Sequence, residues 1–269
     1  MRIRQPISER YRLVLGAMLV AIMAAGYSYI SYRQHVLQPD DTTLPQIWDF
    51  KDAVVKICTP QGTMEPTIWL WVDSKATFVR LFLGMFFGCL FSLLIGLGMG
   101  CFNRIEAFFA PTFNFLAKIP PTAMLPIFFV LVGTGETMFT SMIAFGVLPT
   151  LTMSIYLSAK YDVQTEMINL AYTKGAKNMR IMWCVVARQI MPKILDAIRL
   201  QIGPALVYLI AAEFMMAETG FGYRLRIQQR LLHMDVVYVY VVILGLVGYG
   251  LAAIMLRLRE RCCPWFEKE

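Results

Sequence analysis

Four charged side chains interrupt or border long apolar stretches of this chain: Lys118 and Glu213 lie within them, and Arg80 and Arg199 lie near their ends. A charged residue at the centre of a bilayer costs about 2.5–3.5 kcal/mol, so it must reach water, pair with a partner or change its protonation. Arg80 and Arg199 are placed to extend towards the head groups. Lys118 lies deeper and is the better candidate for attracting an anion. For Glu213 two interpretations stay open: an interhelical hydrogen bond that fixes packing, or a gate or lining of a solute path.

Catalytic, metal and nucleotide chemistry have little support in the sequence. His35 and His233 are far apart in the chain, and the six cysteines form no C-x-x-C pair, so we expect no catalytic residue and no metal site. No G-x-x-x-x-G-K-[ST] motif occurs, so we expect no ATP site and no cofactor on this chain. These absences disfavour a polytopic membrane enzyme. The net charge of +7 comes without a nucleic-acid-binding motif, and no nucleic-acid partner is expected.

The apolar residues are concentrated in runs of membrane-spanning length. They make up 58% of the chain, and the mean hydropathy is +0.57. A helix needs about 20 mainly apolar residues to cross a hydrocarbon core roughly 30 Å thick. Six runs meet this requirement, at residues 11–30, 78–100, 108–132, 137–159, 195–216 and 236–256. The sequence therefore predicts an all-α polytopic membrane protein with about six transmembrane helices. The first run is longer than the apolar core of a signal peptide, which favours a retained helix.

The distribution of basic residues predicts the orientation. Lysines and arginines are roughly twice as frequent on the side that holds the N-terminus, which is expected of the cytoplasmic side. Both termini are then cytoplasmic. Residues 1–36 form a cytoplasmic arm and the first helix, residues 37–77 a periplasmic segment, and residues 78–269 the core permeation domain. Arg224, Arg226 and Arg230 fall on the outer side, where a solvated helix face is the simpler explanation.

The periplasmic segment contains one short amphipathic stretch. Apolar side chains recur at helical spacing, at Leu44, Ile47, Trp48, Val54, Val55 and Cys58, and the other face is predicted to carry the charged Asp49, Lys51, Asp52 and Lys56. This pattern is typical of an interfacial helix that lies on the outer leaflet and contacts lipid. An ordinary loop helix packed on the protein fits the pattern equally well.

The third run is interrupted by prolines 111, 120, 121 and 126. A broken helix persists at membrane depth only where neighbours or a cavity satisfy the freed backbone groups. We therefore expect Lys118, Pro120, Pro121 and Met124 to face the interior and line the solute pathway. A proline-kinked packing helix is the alternative.

The stretch at about 160–192 is a polar interruption predicted to face the cytoplasm. Val163, Met167, Leu170 and Ala171 share one helical face. Gly175 then allows a left-handed turn, and a second helix over residues 179–191 is expected to end at Pro192. Two short amphipathic helices joined at a glycine form an element that a soluble partner could hold.

This stretch carries a recognisable motif, Asn169-Leu170-Ala171-Tyr172-Thr173-Lys174-Gly175-Ala176. It resembles the E-A-A-x-x-x-G-A loop of binding-protein-dependent ABC importer permeases, whose first helix sits in a cleft of the ATPase. Asn169 stands where the family has glutamate, and Leu170 where it has alanine. The resemblance implies an ATPase-coupling role for Glu166, Asn169, Leu170, Ala171, Gly175 and Ala176.

Two further stretches resemble permeases of the nitrate/sulfonate/taurine type, and the resemblance as a whole runs from roughly residue 37 to residue 266. They read Ile119-Pro120-Pro121-x-x-x-Leu125-Pro126 followed by Gly133-x-Gly135-Glu136, and Ala212-Glu213-x-x-x-Ala217-x-x-Gly220-Phe221-Gly222-Tyr223. The resemblance implies the type I ABC importer permease fold in the bacterial inner membrane. It also implies a second copy of the chain, an ABC ATPase dimer carrying ATP and Mg, and a periplasmic substrate-binding protein.

The solute implied by the resemblance is a small anion such as nitrate, bicarbonate, taurine or another sulfonate, or else a pyrimidine precursor. The alternative is a secondary transporter driven by an ion gradient. Such transporters often have internal repeats with paired broken helices. This chain has one strongly broken run and no convincing repeat.

Overall fold

The computed structural model describes residues 8–38, 42–61 and 67–266. The order of the helices and strands is α1 (Glu9–Leu37), α2 (Ile47–Cys58), β1 (Pro60–Gln61), β2 (Thr67–Ile68), α3 (Trp69–Cys101), α4 (Asn103–Leu116), a 3-10 turn (Pro121–Met124), α5 (Leu125–Val132), α6 (Glu136–Tyr161), α7 (Thr165–Thr173), α8 (Asn178–Ile181), a π turn (Met182–Val186), α9 (Ala187–Gln189), α10 (Met191–Met216), α11 (Phe221–Arg230) and α12 (Met234–Cys262). The two strands form one antiparallel pair. The predicted all-α polytopic fold is confirmed.

Five of the described helices are long and apolar enough to cross a bilayer: α1, α3, α6, α10 and α12. The third apolar run is divided between α4 and the segment Pro121–Val132, which are bent by 87° at the break. Counting this pair as one broken span gives six. The bend follows the Pro120-Pro121 pair, because proline removes a backbone donor and its ring disfavours helix in the residue before it.

The chain divides into two compact units, Met1–Trp69 with Ile227–Tyr240 and Leu70–Arg226 with Val241–Glu269. In the first unit, Tyr27 of α1, Phe50 of α2 and Tyr238 of α12 form a cluster of rings whose centroids lie 5.8–6.2 Å apart. In the second unit, α6 packs along α10, and Met142, Val147 and Leu151 of α6 are fully buried. The functional residues discussed below lie in the second unit.

Helix α3 packs closely on α6 through small residues at every fourth position: Gly84, Gly88, Ser92, Gly96 and Gly100. A methyl group added at Gly84 would place its carbon 2.5 Å from Cβ of Ile143. The Ser92 hydroxyl donates a hydrogen bond to the carbonyl of Leu148 at 3.1 Å. Small residues at this spacing let two membrane helices approach closely and gain van der Waals contact.

The second helix predicted for the cytoplasmic loop differs from the structure. Residues 178–189 form a turn of α-helix, a π turn and a further short α-helix, and the run breaks at Ile190. Pro192 lies in the first turn of α10, which begins at Met191, and does not end the preceding helix. The prediction was wrong about Pro192 because proline is favoured in the first turn of a helix, where its missing N–H has no partner to lose.

The α3–α6 contact yields a stability prediction. Gly84→Ala should lower the free energy of unfolding by about 1–3 kcal/mol, because the added methyl overpacks the contact with Ile143. The matched control is Gly203→Ala in α10, where no heavy atom lies within 4 Å of the new carbon. Unfolding of the purified protein in detergent measures both variants, and equal stability of the two would contradict this packing.

Candidate functional site

One face of α3 carries three buried polar side chains near its N-terminal end: Asp73, Thr77 and Arg80. Their spacing of four and three residues places them in a row along one side of the helix. Each belongs to a polar cluster that joins α3 to α6, to α10 and to the loop after α10. We call this group the Arg80 cluster; its members are Asp73, Thr77, Arg80, Glu136, Glu213, Thr219, Gly220, Phe221, Gly222 and Arg224.

Arg80 is at the centre of the cluster and is 3% exposed. Its Nη1 donates to Oε1 of Glu213 at 2.9 Å and to the carbonyl of Thr219 at 2.8 Å. Its Nε donates to Oε2 of Glu136 at 2.6 Å, and Nη2 donates to the other carboxylate oxygen of Glu136. The guanidinium also lies 4.3 Å from the ring centroid of Phe139. One side chain of α3 therefore holds α6 and α10 together.

Glu213 is fully buried in α10, and its carboxylate accepts hydrogen bonds from three donors in two helices, α3 and α11. Besides Arg80, the hydroxyl of Thr77 lies 2.9 Å from Oε1, and the N–H of Gly222 donates to Oε2 at 3.0 Å. A buried carboxylate needs this degree of hydrogen bonding because an unpaired one is strongly destabilising. These contacts are the interhelical hydrogen bonds expected if Glu213 fixes the packing of the helices. Its role as a gate stays a prediction.

Two glycines, one in the loop between α10 and α11 and one in the first turn of α11, let the backbone approach Glu213 closely. Gly220 has φ +116°, and a side-chain carbon there would lie 2.6 Å from Oε1 of Glu213. At Gly222 such a carbon would lie 2.5 Å from the carbonyl oxygen of Ile210. The spacing of the A-E-x-x-x-A-x-x-G-F-G motif thus lets the backbone of the loop close over the carboxylate.

Asp73 and Thr77 bind the other side of the same loop. Asp73 accepts from the N–H of Gly220 at 3.1 Å and from Nε of Arg224 at 2.8 Å. The hydroxyl oxygen of Thr77 accepts from the N–H of Phe221 at 3.0 Å. The loop therefore has backbone donors fixed by α3 as well as by α10.

Two expectations about arginines are corrected by this geometry. Arg80 does not extend towards water, because both of its acidic partners lie where the buried guanidinium can reach them. Arg224 is not a solvated member of an external basic cluster, since it pairs with Asp73 and its side chain is 13% exposed. The signal available in the sequence was the helical spacing of Asp73, Thr77 and Arg80 across the start of the apolar run at residue 78.

The coupling residues predicted from the motif lie in α7 and the turn that follows it. Glu166, Asn169 and Leu170 are exposed, while Ala171 and Ala176 are half-buried against the core. The expected common face is wrong in part. Val163 is buried and Ala171 is half-buried, whereas Met167 and Leu170 are exposed, because Ile168 takes the inward position.

Gly175 ends α7 in a two-hydrogen-bond cap. The N–H of Ala176 donates to the carbonyl of Ala171 at 3.1 Å, and that of Gly175 donates to the carbonyl of Tyr172 at 2.8 Å. This is the Schellman arrangement, which needs a left-handed residue at the position of the glycine. Gly175 has φ +74°, and a side-chain carbon there would meet no heavy atom within 4 Å.

The predicted pathway residues lie at the break between α4 and α5. Lys118 and Pro120 are exposed, and Pro121 and Met124 are half-buried. A side-chain carbon at Gly146 would lie 3.3 Å from Cβ of Pro121, so the break packs closely on α6. The donors to Glu213 come from α3 and α11, and the structure does not pair it with Lys118.

Within the described ranges, no three acidic, histidine or cysteine side chains are grouped to hold a metal.

The ion pair between Arg80 and Glu213 yields a second prediction. Arg80→Met should lower the free energy of unfolding by about 3–5 kcal/mol, because Glu213 is left buried without its cation. Adding Glu213→Gln should restore at least about 1 kcal/mol of that loss, since paired residues do not act additively. Unfolding in detergent measures both variants.

Lys75→Met is the control for Arg80→Met. Lys75 lies on the exposed side of the same part of α3, so its loss should change stability by only about 0.5 kcal/mol. If Arg80→Met were as stable as Lys75→Met, or if its effect and that of Glu213→Gln simply added, the cluster would not hold the helices as described.

Comparison with known proteins assigns this chain to a family. Residues 88–262 match the model of the family described as binding-protein-dependent transport system inner membrane component. The chain is 26% identical over 262 residues to the taurine transport system permease protein TauC of Escherichia coli (strain K12), covering 97% of this chain and 92% of TauC. It is 27% identical over 261 residues to SsuC of Bacillus subtilis (strain 168), a protein named for aliphatic sulfonates transport, covering 96% and 89%.

A solved structure shows the same fold. A chain of the MetNI methionine ABC transporter, in an inward facing conformation, matches with a TM-score of 0.65 at 18% identity. The match covers 72% of this chain and 97% of that chain. These relatives confirm the resemblance to nitrate/sulfonate/taurine-type permeases and the type I importer fold. The chain belongs to the family of binding-protein-dependent transport system inner membrane components and is a multi-pass permease subunit of an ABC importer.

Proposed function

We propose that this subunit moves a small sulfonate-type anion such as taurine from the periplasm to the cytoplasm, driven by a separate ABC ATPase that docks on α7. The observation that carries the coupling role is the form of α7: a short helix with a fixed end and an exposed apolar surface. The solute class is suggested by the names of the full-length relatives, TauC and SsuC.

The exposed surface of α7 has the chemistry of a protein contact. Met167, Leu170 and Tyr172 are each about half exposed, next to the polar side chains of Glu166 and Asn169. Grouped apolar side chains with a polar border are typical of binding surfaces. Asn169 and Leu170, which replace the glutamate and alanine of the family motif, make this contact more apolar and less charged.

The inner side of α7 is held to the membrane core. Ile168 and Ala171 pack against the buried core cluster, and α7 contacts the π turn Met182–Val186. Asp162, which ends α6, also pairs with Lys193 in the first turn of α10 at 2.7 Å. A displacement of α7 is therefore expected to reach α10 through the π turn and α9. Packed elements of this kind switch between discrete arrangements and do not deform continuously.

The remaining parts of the proposal follow from this arrangement. One chain offers one α7, so two copies are expected to meet an ATPase dimer that carries the ATP and Mg, with the solute path along the two-fold axis. A periplasmic binding protein would deliver the solute.

The proposed lining of the solute path lies at the α4–α5 break and consists of Lys118, Pro120, Pro121 and Met124. Lys118 supplies a cation for the anion. Glu213, inside the Arg80 cluster, is proposed as part of the outer gate.

Replacement of Gly175 tests the coupling role. Gly175→Val should insert into the membrane but lose solute-stimulated ATP hydrolysis and uptake together, because a β-branched residue is strongly disfavoured at φ +74°. Gly175→Asn should keep most of both activities, since asparagine tolerates the left-handed region. ATP hydrolysis and uptake by the reconstituted complex are the measurements.

Gly133→Val provides a matched control for strain. Gly133 also has a positive φ, +84°, with no heavy atom within 4 Å of a new side-chain carbon, but it ends α5. Its variant should still bind the ATPase in a pull-down assay, whereas Gly175→Val should not bind or should bind without stimulation. If Gly175→Val transported at the wild-type rate, α7 would not be the coupling element.

A further inference from the structure

Helix α2 has two apolar surfaces, and the described part of the chain packs against one of them. Ala53 and Ile57 are buried, and Phe50 is half-buried against Tyr27 and Tyr238. The second surface is a stripe of exposed side chains, with Trp48 70% exposed; it consists of Ile47, Trp48, Val54 and Val55. The helix thus presents an apolar face that its own packing does not require.

Hydrogen bonds to α1 fix the depth at which α2 begins. The hydroxyl of Tyr27 donates to the carbonyl of Pro45 at 2.9 Å, and that of Ser31 donates to the carbonyl of Leu44 at 3.0 Å. If the hydrocarbon core starts just after Arg12, about 20 residues of helix carry it to the level of Tyr32. The start of α2 is therefore held where hydrocarbon gives way to head groups.

Aromatic side chains mark the same level. The rings of Tyr27 and Tyr238 lie 5.8 Å apart, and Tyr29 and Tyr32 of α1 are exposed nearby in the sequence. Tyrosine and tryptophan are enriched at the boundary between hydrocarbon and water because their rings are apolar at one end and polar at the other. Trp48, in the first turn of α2, adds a further ring of this type.

The charges of α2 fit a lipid surface. At 100° per residue, Lys51 falls inside the exposed apolar stripe, between Ile47 and Val55. The sequence pattern had grouped Lys51 with the opposite, charged face. A lysine among apolar side chains can bury its stem and reach a phosphate with its ammonium group. A protein partner would need a carboxylate facing this position, whereas every phospholipid supplies an anionic phosphate.

We infer that α2 is an interfacial membrane helix. Its stripe of Ile47, Trp48, Val54 and Val55 inserts into the leaflet at the C-terminal end of α1. The stripe enters the boundary between head groups and acyl chains, and Lys51 binds a lipid phosphate. The inference resolves the two interpretations that the sequence left open. It depends on the contacts of α1 and α2 and not on the proposed solute or on α7.

Tryptophan quenching by brominated lipid tests the inference. The full chain carries Trp48 alone, with Trp69, Trp71, Trp183 and Trp265 replaced by phenylalanine, and is placed in phosphatidylcholine nanodiscs. Lipid brominated near the head group should reduce Trp48 emission by at least about twofold. Lipid brominated deep in the acyl chain should reduce it less, because an interfacial helix penetrates only about 5–10 Å.

The matched control moves the tryptophan to the charged face, as Trp48→Phe with Lys56→Trp in the same background. Aqueous iodide should quench this residue strongly and brominated lipid should not. The inference is overturned if Trp48 behaves like the control, or if its emission changes only when the periplasmic binding protein is added, which would identify a protein contact.

A second readout does not depend on the tryptophan replacements. Val55→Cys, in a chain whose six native cysteines are replaced, carries a spin label. Its relaxation should respond more to lipid-soluble oxygen than to a water-soluble nickel chelate. The opposite response would also overturn the inference.

Discussion

The interaction on which the membrane core depends is the pairing of Arg80 with Glu136 and Glu213. The guanidinium and the Glu213 carboxylate are both buried, and either one alone would carry a desolvation cost that the surrounding helices could not offset. The three residues come from α3, α6 and α10, so these helices must come together for the charges to be paired. Close approach through the glycines of α3 and the open backbone of Gly220 and Gly222 makes this geometry possible.

This cluster and α7 lie at opposite ends of the same two helices. α6 begins at Glu136 in the cluster and leads into the loop that carries α7, and α10 returns from that loop to Glu213. Each is 26 residues long, or about 39 Å. Their shared buried surface and the Asp162–Lys193 ion pair make them a stiff connection. In the proposed orientation α7 is cytoplasmic, and its movement is expected to act on the cluster at the other end of these two helices.

The sequence predicted the parts of this arrangement that depend on local pattern. Runs of apolar residues identified the spans, the proline pair identified the break, and Gly175 identified the left-handed turn. The partners of Arg80 were missed because they lie 56 and 133 residues away, and no local rule sets the rotation of one helix against another. For the same reason, Met167 was assigned to the wrong side of α7. The prolines predicted a break in the helix but not the 87° bend found there, because packing on α6 fixes the direction of the bend.

We propose that ATP hydrolysis on a partner subunit, and not an ion gradient, drives transport by this permease. Proteoliposomes containing the chain, its ATPase and its binding protein provide the most direct measurement, with labelled taurine as the solute and ionophores to collapse all gradients. Transport should require Mg-ATP and both partner proteins, and it should persist with the ionophores present. Taurine uptake by the chain alone, driven by an imposed proton or sodium gradient, would contradict this proposal.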